Sequence, residues 1–175
     1  MTSHNWRYLL NEDLERMKPL YIFDLDGTLA LIQHRRHFVE RERGKQDWKS
    51  FYAACVNDEP NAPVIRVMES LRRFADIWIF SGRSDEVRFQ TTKWLVNHTS
   101  FSHSDFDSAF GTQDILTMRM EGDYTADDVL KKQWLDGMLD YDRRRLVATF
   151  DDRDRVVSMW RSAGVTCFQV APGEF

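Results

Sequence analysis

The amino-acid sequence predicts an α/β domain in which helices cover both faces of a central parallel sheet of about five strands. Two observations lead to this prediction. Five short apolar segments, each typical of a buried strand, alternate with segments whose apolar residues have helical spacing. Polar residues directly follow several of these strands, as expected where ligands bind beyond the carboxyl ends of a parallel sheet. The 175 residues are expected to form one domain, 1–175.

The predicted strands and helices follow one another along the chain. Strands that alternate with helices are typical of a parallel sheet that is covered on both faces. The predicted strands are Tyr21–Phe23, Ile77–Phe80, Ile115–Met118, Leu146–Phe150 and Val165–Val170. The predicted helices are Asn5–Met17, Val64–Phe74, Asp85–His98, Asp127–Leu139 and Arg153–Ser162.

One segment, residues 31–63, interrupts the alternation. It is dense in charged side chains and also carries Phe38, Trp48, Phe51 and Tyr52. A solvated helix of mixed charge would explain the composition. The position directly after the acidic loop favours a small cap insertion over the functional site, because loops at such positions commonly carry function.

The composition limits the class of protein. A formal net charge of −4 argues against a protein that coats DNA, which would carry a broad basic excess. The two cysteines, Cys55 and Cys167, lack metal-ligand spacing and are expected to be reduced. No apolar run reaches membrane-spanning length, and the N-terminus is too charged for a signal peptide, so we expect a cytoplasmic protein without a membrane partner. The sequence leaves a homo-oligomer open.

The most informative motif is the acidic turn after the first strand. Asp24 and Asp26 lie one residue apart and are followed by Gly27 and Thr28. Gly27 gives the turn its conformational freedom, and Thr28 has a hydroxyl for a carboxylate or a bound phosphate. Two carboxylates, one to attack and one to transfer a proton, suit covalent phosphoryl transfer. An acidic turn that only caps the next helix is the simpler explanation, but the whole string favours chemistry.

A second motif follows the second predicted strand. Ser81 and Gly82 offer a hydroxyl and a backbone N–H to a phosphate oxygen, and Arg83 adds a guanidinium. Serine–glycine turns are common, so this motif is weak alone. The alternative role for Arg83 is a surface salt bridge.

Two further groups of charged residues lie near the C-terminus. Asp127 and Lys131 are four residues apart on a predicted helix, where an ordinary exposed ion pair is the simpler explanation. Asp151 and Asp152 follow the fourth strand, and paired carboxylates there suit Mg²⁺. Helix capping by Asp152 would explain only one of these two acids.

Together these motifs resemble those of the haloacid-dehalogenase-like (HAD) phosphatase superfamily, whose fold is a Rossmann-like α/β sheet. The resemblance implies that Asp24 is the nucleophile, that Asp26 is the general acid and base, and that Lys131 neutralises charge. It also implies that Mg²⁺ is bound by Asp152, the Asp24 carboxylate and the Asp26 carbonyl. Asp151 would then act indirectly or through water.

The spacing of the motifs is similar to that of the 3′-phosphatase domain of phage polynucleotide kinase/phosphatase. This resemblance adds Arg35, Arg83 and Asp127 as functional positions. The matching strings are Phe23–Ala30, Ser81–Arg83, Thr91–Trp94, Asp127–Lys131, Asp151–Arg153, Val156–Arg161 and Gly164–Val170. The chain lacks a Gly-x-x-x-x-Gly-Lys-Ser/Thr loop, so no 5′-kinase activity is expected. Its segment after Arg35 is also more elaborate than in the phage domain.

The sequence therefore predicts a Mg²⁺-dependent phosphomonoesterase that removes a terminal phosphate from a nucleic-acid end through an aspartyl-phosphate. The substrate partner is a nucleotide or the phosphate of a nucleic-acid end. A nucleoside 5′-monophosphate phosphatase similar to deoxyribonucleotidases is one alternative. A phospho-accepting signalling module or a non-catalytic nucleotide-binding module is the other.

Overall fold

A five-stranded parallel sheet forms the centre of the protein. The structure is a computed structural model that describes residues 17–42, 44–107 and 114–173. The strands of the sheet lie in the order β5-β4-β1-β6-β7, and every neighbouring pair is parallel. Their bounds are β1 Leu20–Phe23, β4 Asp76–Ser84, β5 Leu116–Arg119, β6 Leu146–Asp151 and β7 Cys167–Gln169. The predicted fold class is confirmed.

The helices fall close to their predicted positions. In the described residues the α-helices are α1 Gln33–Arg36, α2 Trp48–Ala53, α3 Ala62–Arg72, α4 Arg88–His98, α5 Asp127–Asp136, α6 Asp140–Arg145 and α7 Asp154–Ser162. The helix predicted for Asp127–Leu139 ends at Asp136, and a separate helix follows. The helix predicted for Asn5–Met17 lies outside the described residues apart from Met17. None of the helices in the described ranges is long and apolar enough to cross a membrane.

The two faces of the sheet bury separate apolar clusters. Alternate residues of a strand point to opposite faces, so Ile22 and Phe23 of β1 contribute to different clusters. One cluster includes Ile79 with residues of α3 and α4, such as Met68. The other includes Trp160 of α7 and residues of α5. Helices therefore cover both faces, as predicted.

The segment between β1 and α3 forms an excursion from the sheet. Its ends pair as a two-residue antiparallel ladder of β2 Ala30–Leu31 and β3 Glu59–Pro60. Between them lie α1, α2 and a 3₁₀ turn at Ala54–Asn57. The side chain of Asp47 caps α2 by accepting a hydrogen bond from the Ser50 backbone N–H at 2.9 Å. The insertion predicted at residues 31–63 is therefore an ordered excursion with its own helices.

The strand order reverses next to β1. The chain runs outward from β1 through β4 to β5 and then returns to β6 on the other side. Ligands bind at such reversals, beyond the carboxyl ends of the strands. Asp24 lies at this end of β1 and Asp151 at this end of β6. The fold thus places the predicted acids at the position where a parallel sheet binds its ligand.

Candidate active site

The loop after β1 is a tight turn built around one carbonyl. The Leu25 carbonyl oxygen accepts hydrogen bonds from the backbone N–H groups of Thr28, Leu29 and Ala30 at 3.2, 3.0 and 2.8 Å. Gly27 has a φ of +88°, which L side chains rarely adopt. This turn carries the chain from the Asp24 carboxylate back into the insertion.

Four charged side chains meet at the carboxyl ends of β1 and β6. One carboxylate oxygen from each of Asp24, Asp151 and Asp152 lies within 4.8 Å of the other two. Lys131 Nζ of α5 donates to Asp24 Oδ1 at 2.6 Å and to Asp151 Oδ2 at 2.7 Å. All four residues are buried. The structure therefore brings together the predicted nucleophile, its cation and the predicted metal acids, and Lys131 is not part of an exposed ion pair.

Burial controls the protonation of this cluster. It raises the pKa of Asp24 well above its usual range. The positive charge of Lys131 lowers this pKa only in part, and the neighbouring Asp151 raises it further. Burial, together with the neighbouring Asp151, raises the pKa of Asp152 to about 6. Burial alone would lower the pKa of Lys131, but Asp151 and Asp24 outweigh it and raise that pKa. Three acids thus face one cation, and a further positive charge would favour their ionised forms.

The donor set of this cluster fits a hard divalent cation. Mg²⁺ prefers oxygen ligands and is usually bound through one or two carboxylates with waters and phosphate oxygens. Asp24, Asp151 and Asp152 supply the carboxylates, which in their ionised forms carry more negative charge than Lys131 neutralises. The Asp26 side chain lies outside this group, so a metal role for Asp26 rests on its carbonyl oxygen alone and stays a prediction.

A second charged cluster adjoins the first and is formed by two acids and two arginines. Arg35 Nε and Nη2 donate to the two oxygens of Asp58 at 2.6 and 2.7 Å, and Arg35 Nη2 donates to Asp26 Oδ1 at 2.7 Å. Arg83 Nη2 donates to Asp58 Oδ2 at 2.8 Å, and Arg83 Nε donates to Asp26 Oδ1 at 3.1 Å. Both arginines and Asp58 are buried. The predicted phosphate-binding arginines therefore hold carboxylates in this structure.

These arginines determine the charge of Asp26. Burial opposes ionisation of Asp26, but Arg83 and then Arg35 outweigh it and lower the pKa of Asp26 to about 2. The pKa of Asp58 is instead raised, because burial outweighs the hydrogen bonds from Arg35. Asp26 is accordingly ionised at neutral pH in the ligand-free protein.

Asp127 anchors a third group of contacts at the start of α5. It accepts hydrogen bonds from Arg119 and Arg153. Arg119 Nε also donates to the Gly82 carbonyl oxygen at 2.8 Å and Nη1 to the Thr125 carbonyl oxygen at 2.6 Å. A Cβ at Gly82 would lie 2.6 Å from Asp127 Oδ1, so glycine is required for this approach. Asp127 therefore binds Arg119, which is tied to Gly82 near the end of β4, instead of pairing with Lys131.

Two hydroxyl groups lie near these clusters. Ser81 is buried within β4, which extends to Ser84 with a register shift against β5, so the predicted strand end at Phe80 was too early. Ser81 Oγ accepts from the Arg83 backbone N–H at 3.2 Å. Thr28 Oγ1 is buried and has no hydrogen-bond partner among the residues that the structure describes. A buried hydroxyl without a partner is costly, and a ligand oxygen would satisfy it.

Sequence reasoning missed two residues that organise this site. Asp58 lies in the charged insertion, where nothing distinguishes it from its exposed neighbours in sequence. Arg119 ends β5, so the rule that identified polar residues at the carboxyl ends of other strands would also have identified it. The first required the three-dimensional structure, and the second required a consistent application of the rule.

The fold and the acidic clusters define a phosphatase of the HAD class. The model of the family "Polynucleotide kinase PNKP phosphatase domain" matches residues 18–175, and the chain belongs to this family. A chain in the structure of the Pnkp1/Rnl/Hen1 RNA repair complex is 28% identical, with a TM-score of 0.63 over 90% of this chain and 44% of the other. A chain in a structure of the Pnkp1/Rnl/Hen1 complex is 27% identical, with a TM-score of 0.64 over 91% and 48%. The protein thus spans less than half of these relatives.

The class C acid phosphatase from Bacillus anthracis with tungstate bound has the same fold. It is 15% identical, with a TM-score of 0.52 over 97% of this chain and 73% of the other.

Proposed function

We propose that this protein is a Mg²⁺-dependent phosphomonoesterase that removes the 3′-phosphate from nucleic-acid ends through an aspartyl-phosphate. The observation that carries the proposal is the buried contact between Lys131 and Asp24, 2.6 Å long, beside Asp151 and Asp152. Burial raises the pKa of Asp24, and the Lys131 ammonium lowers it in part and so favours the charged form that attacks phosphorus. Membership in the family supports the reaction class. The similar chain in the structure of an RNA repair complex supports a nucleic-acid substrate.

Asp24 performs the first chemical step. An Asp24 oxygen attacks phosphorus in line, a bond forms between them, and the bond from phosphorus to the 3′-oxygen breaks. Asp26 gives its proton to the departing 3′-oxygen. In the second step water attacks phosphorus, its proton passes to Asp26, and the bond to Asp24 breaks to release inorganic phosphate.

The remaining residues hold the phosphoryl group. Lys131 and the arginines offset its charge, and the Ser81 hydroxyl, the Gly82 N–H and the Thr28 hydroxyl supply hydrogen bonds. Mg²⁺, bound by Asp24, Asp151 and Asp152, would supply charge neutralisation at the phosphoryl oxygens. Positioning and charge stabilisation of this kind provide most of the rate enhancement in phosphoryl transfer.

Asp26 must gain a proton before it acts as an acid. In the ligand-free protein Arg83 and Arg35 lower the pKa of Asp26 to about 2. This low pKa suits the role of Asp26 as a base in the second step but not its role as an acid in the first. A substrate phosphate competes for the same guanidinium groups. Once they turn to the phosphate, the pKa of Asp26 rises because its burial is no longer offset. Substrate binding thus prepares the acid.

The insertion is proposed to act as a cap on a single domain. The Arg35 guanidinium carbon lies 4.1 Å from the centre of the Phe51 ring, and Asp58 of the same segment binds Arg83 beside the catalytic acids. Burial raises the pKa of Tyr52 to about 12, and the charges of Arg119 and Asp127 act on the same hydroxyl. The hydrogen bonds of Arg35 and Asp58 link the insertion to the loop after β1 and to the end of β4.

Phosphate release from three substrates tests the proposal. These are a 3′-phosphorylated oligonucleotide, its 5′-phosphorylated isomer and a 5′-mononucleotide, each assayed at fixed salt with Mg²⁺ and with EDTA. We expect the highest kcat/KM for the 3′-phosphate and no turnover in EDTA. A large preference for the mononucleotide would replace the 3′-end assignment by the nucleotidase alternative. Absence of turnover with all three would favour a non-catalytic module.

A further inference from the structure

A continuous set of aromatic contacts leads from the catalytic acid to the protein surface. Arg35 binds Asp26, and its guanidinium stacks over Phe51 and donates to the Phe51 carbonyl oxygen at 3.4 Å. The ring of Trp48 packs edge-on against Phe51, with 5.8 Å between ring centres and an interplanar angle of 83°. Two side chains, Phe51 and Arg35, therefore connect Trp48 to Asp26 through three successive contacts.

Tyr52 fixes the side of α2 on which Trp48 lies. The two residues are four positions apart and share one helix face, with their ring centres 5.9 Å apart. Tyr52 is half-buried, and its hydroxyl lies close enough to Arg119, Asp127 and Asp26 to feel their charges. Both rings also contact Phe51, which lies against the Arg35 guanidinium.

Trp48 itself remains open to solvent. Its exposed fraction is 44%, whereas that of Phe51 is 6%. The indole is held in place by its contacts with Phe51 and Tyr52 and by the Asp47 cap at the start of the helix. A rigid, exposed aromatic ring beside a phosphate site is what an unpaired nucleobase stacks on, and such stacking tolerates any base.

We infer that Trp48 is a specificity-determining residue that stacks on the nucleobase of the nucleotide carrying the phosphate. This inference rests on the proposed function and deepens it. The substrate it selects is an unpaired nucleotide end, because an unpaired terminal base is free to turn a face to the indole, whereas base pairing holds a terminal base in line with its duplex. Phosphate esters without a base lose this contact and keep all the others.

A double-mutant cycle that combines one change in the protein with one change in the substrate measures the stacking of Trp48 on the base. The first change is Trp48→Ala, and the second replaces the 3′-phosphorylated nucleotide of a single-stranded oligonucleotide by an abasic 3′-phosphorylated sugar. We expect Trp48→Ala to lower kcat/KM about tenfold on the substrate with a base, mainly through KM. On the abasic substrate it should leave kcat/KM unchanged. Equal losses on both substrates, or no loss on either, would overturn the inference.

Further variants separate stacking from bulk and from folding. Trp48→Phe keeps a ring face and should retain most activity, whereas Trp48→Leu keeps apolar bulk and should behave as Trp48→Ala. Equal activity of the Phe and Leu variants would contradict stacking. Phe74→Ala is the control. It removes another exposed aromatic side chain, 57% exposed, which lies before β4 at the opposite end of the sheet. It should leave kcat/KM unchanged on both substrates.

The inference and the proposed function fail in different ways. The proposed function depends on which substrate the unaltered protein prefers. The inference depends on whether the effect of Trp48→Ala requires a base. If the protein prefers mononucleotides, the same comparison is made between a nucleoside 5′-monophosphate and deoxyribose 5-phosphate, and equal losses on these two would again overturn it.

Discussion

Arg35 and Asp58 form a bidentate ion pair in the interior of the protein. Arg35 Nε lies 2.6 Å from Asp58 Oδ1, and Arg35 Nη2 lies 2.7 Å from Asp58 Oδ2. Neither side chain is accessible to solvent. Since Arg35 Nη2 also reaches Asp26, the Asp58 carboxylate holds in place a guanidinium that contacts the proposed acid and base. Asp58 is therefore a positioning residue for the catalytic site.

The first prediction concerns Asp58. Asp58→Asn keeps the shape but removes the charge that holds Arg35 and Arg83, and kcat should fall about 100-fold because the two guanidiniums proposed to meet the phosphate lose their fixed position. Asp58→Ala should also lower the free energy of unfolding by about 3 kcal/mol, since it leaves buried cations without this partner. Steady-state kinetics and urea unfolding measure both effects. The control Asp136→Asn breaks an exposed pair with Lys132 and should change neither.

The second prediction concerns the nucleophile. Asp24→Asn should lower kcat by several orders of magnitude, as expected for a lost covalent nucleophile. Its melting temperature without metal should not fall, because burial disfavours the charge that the substitution removes. Activity close to that of the unaltered protein would rule out the aspartyl-phosphate mechanism.

The third prediction concerns Gly27. A Cβ at this position would lie 2.0 Å from Asp152 Oδ2, so Gly27→Ala should displace the Asp152 carboxylate and abolish both activity and stabilisation by Mg²⁺. The control is Gly122→Ala, which has a similar φ of +78° but no heavy atom within 4 Å. It should show only the strain of a left-handed conformation, about 1 kcal/mol, with activity retained. Similar effects of the two substitutions would contradict the steric explanation.

The fourth prediction concerns the metal. Mg²⁺ at about 100 times its Kd should stabilise the folded protein by about 2.7 kcal/mol through mass action. Asp152→Ala should remove this shift in melting temperature and the activity with it. A full Mg²⁺ shift in that variant would show that the cation binds elsewhere.

The fifth prediction concerns pH and follows from Asp152 in metal-free protein. Its pKa rises from 3.8 to about 6 on folding, so the folded state binds this proton more tightly than the unfolded chain. Its contribution to stability is fully present below pH 4 and is lost as pH rises through 6; one pKa unit corresponds to about 1.4 kcal/mol. In EDTA, Asp152→Asn should therefore lose less stability than the unaltered protein between pH 4 and 7. Parallel stability curves would refute this assignment.

The sequence predicted those parts of the site that lie at strand ends. Asp24 and Asp151 were expected to meet because parallel strands end at one edge, and the structure places both against Lys131. The fold class followed from the same alternation of strands and helices.

The partners of the charged residues were harder to predict. Asp127 and Lys131 share a helix face, yet each binds residues from other elements, because the loops that converge on α5 offer closer opposite charges. Arg83 was expected to face a phosphate and binds Asp26 and Asp58 in this structure. Sequence spacing determines which groups of one helix share a face, whereas the choice among several nearby charges depends on how the other elements pack around them.

The short ladder of β2 and β3 makes the insertion an exchangeable unit. Its ends pair at Ala30 with Pro60 and at Leu31 with Glu59, so the chain leaves and re-enters the domain at one point. A replacement of different length adds little closure cost, because doubling a loop costs only about 0.6 kcal/mol, but it must still fill the place of the buried Cys55 in the core. Grafted segments are thus a route to new substrate preferences. Any graft that keeps Arg83 must bring an acid to the place of Asp58.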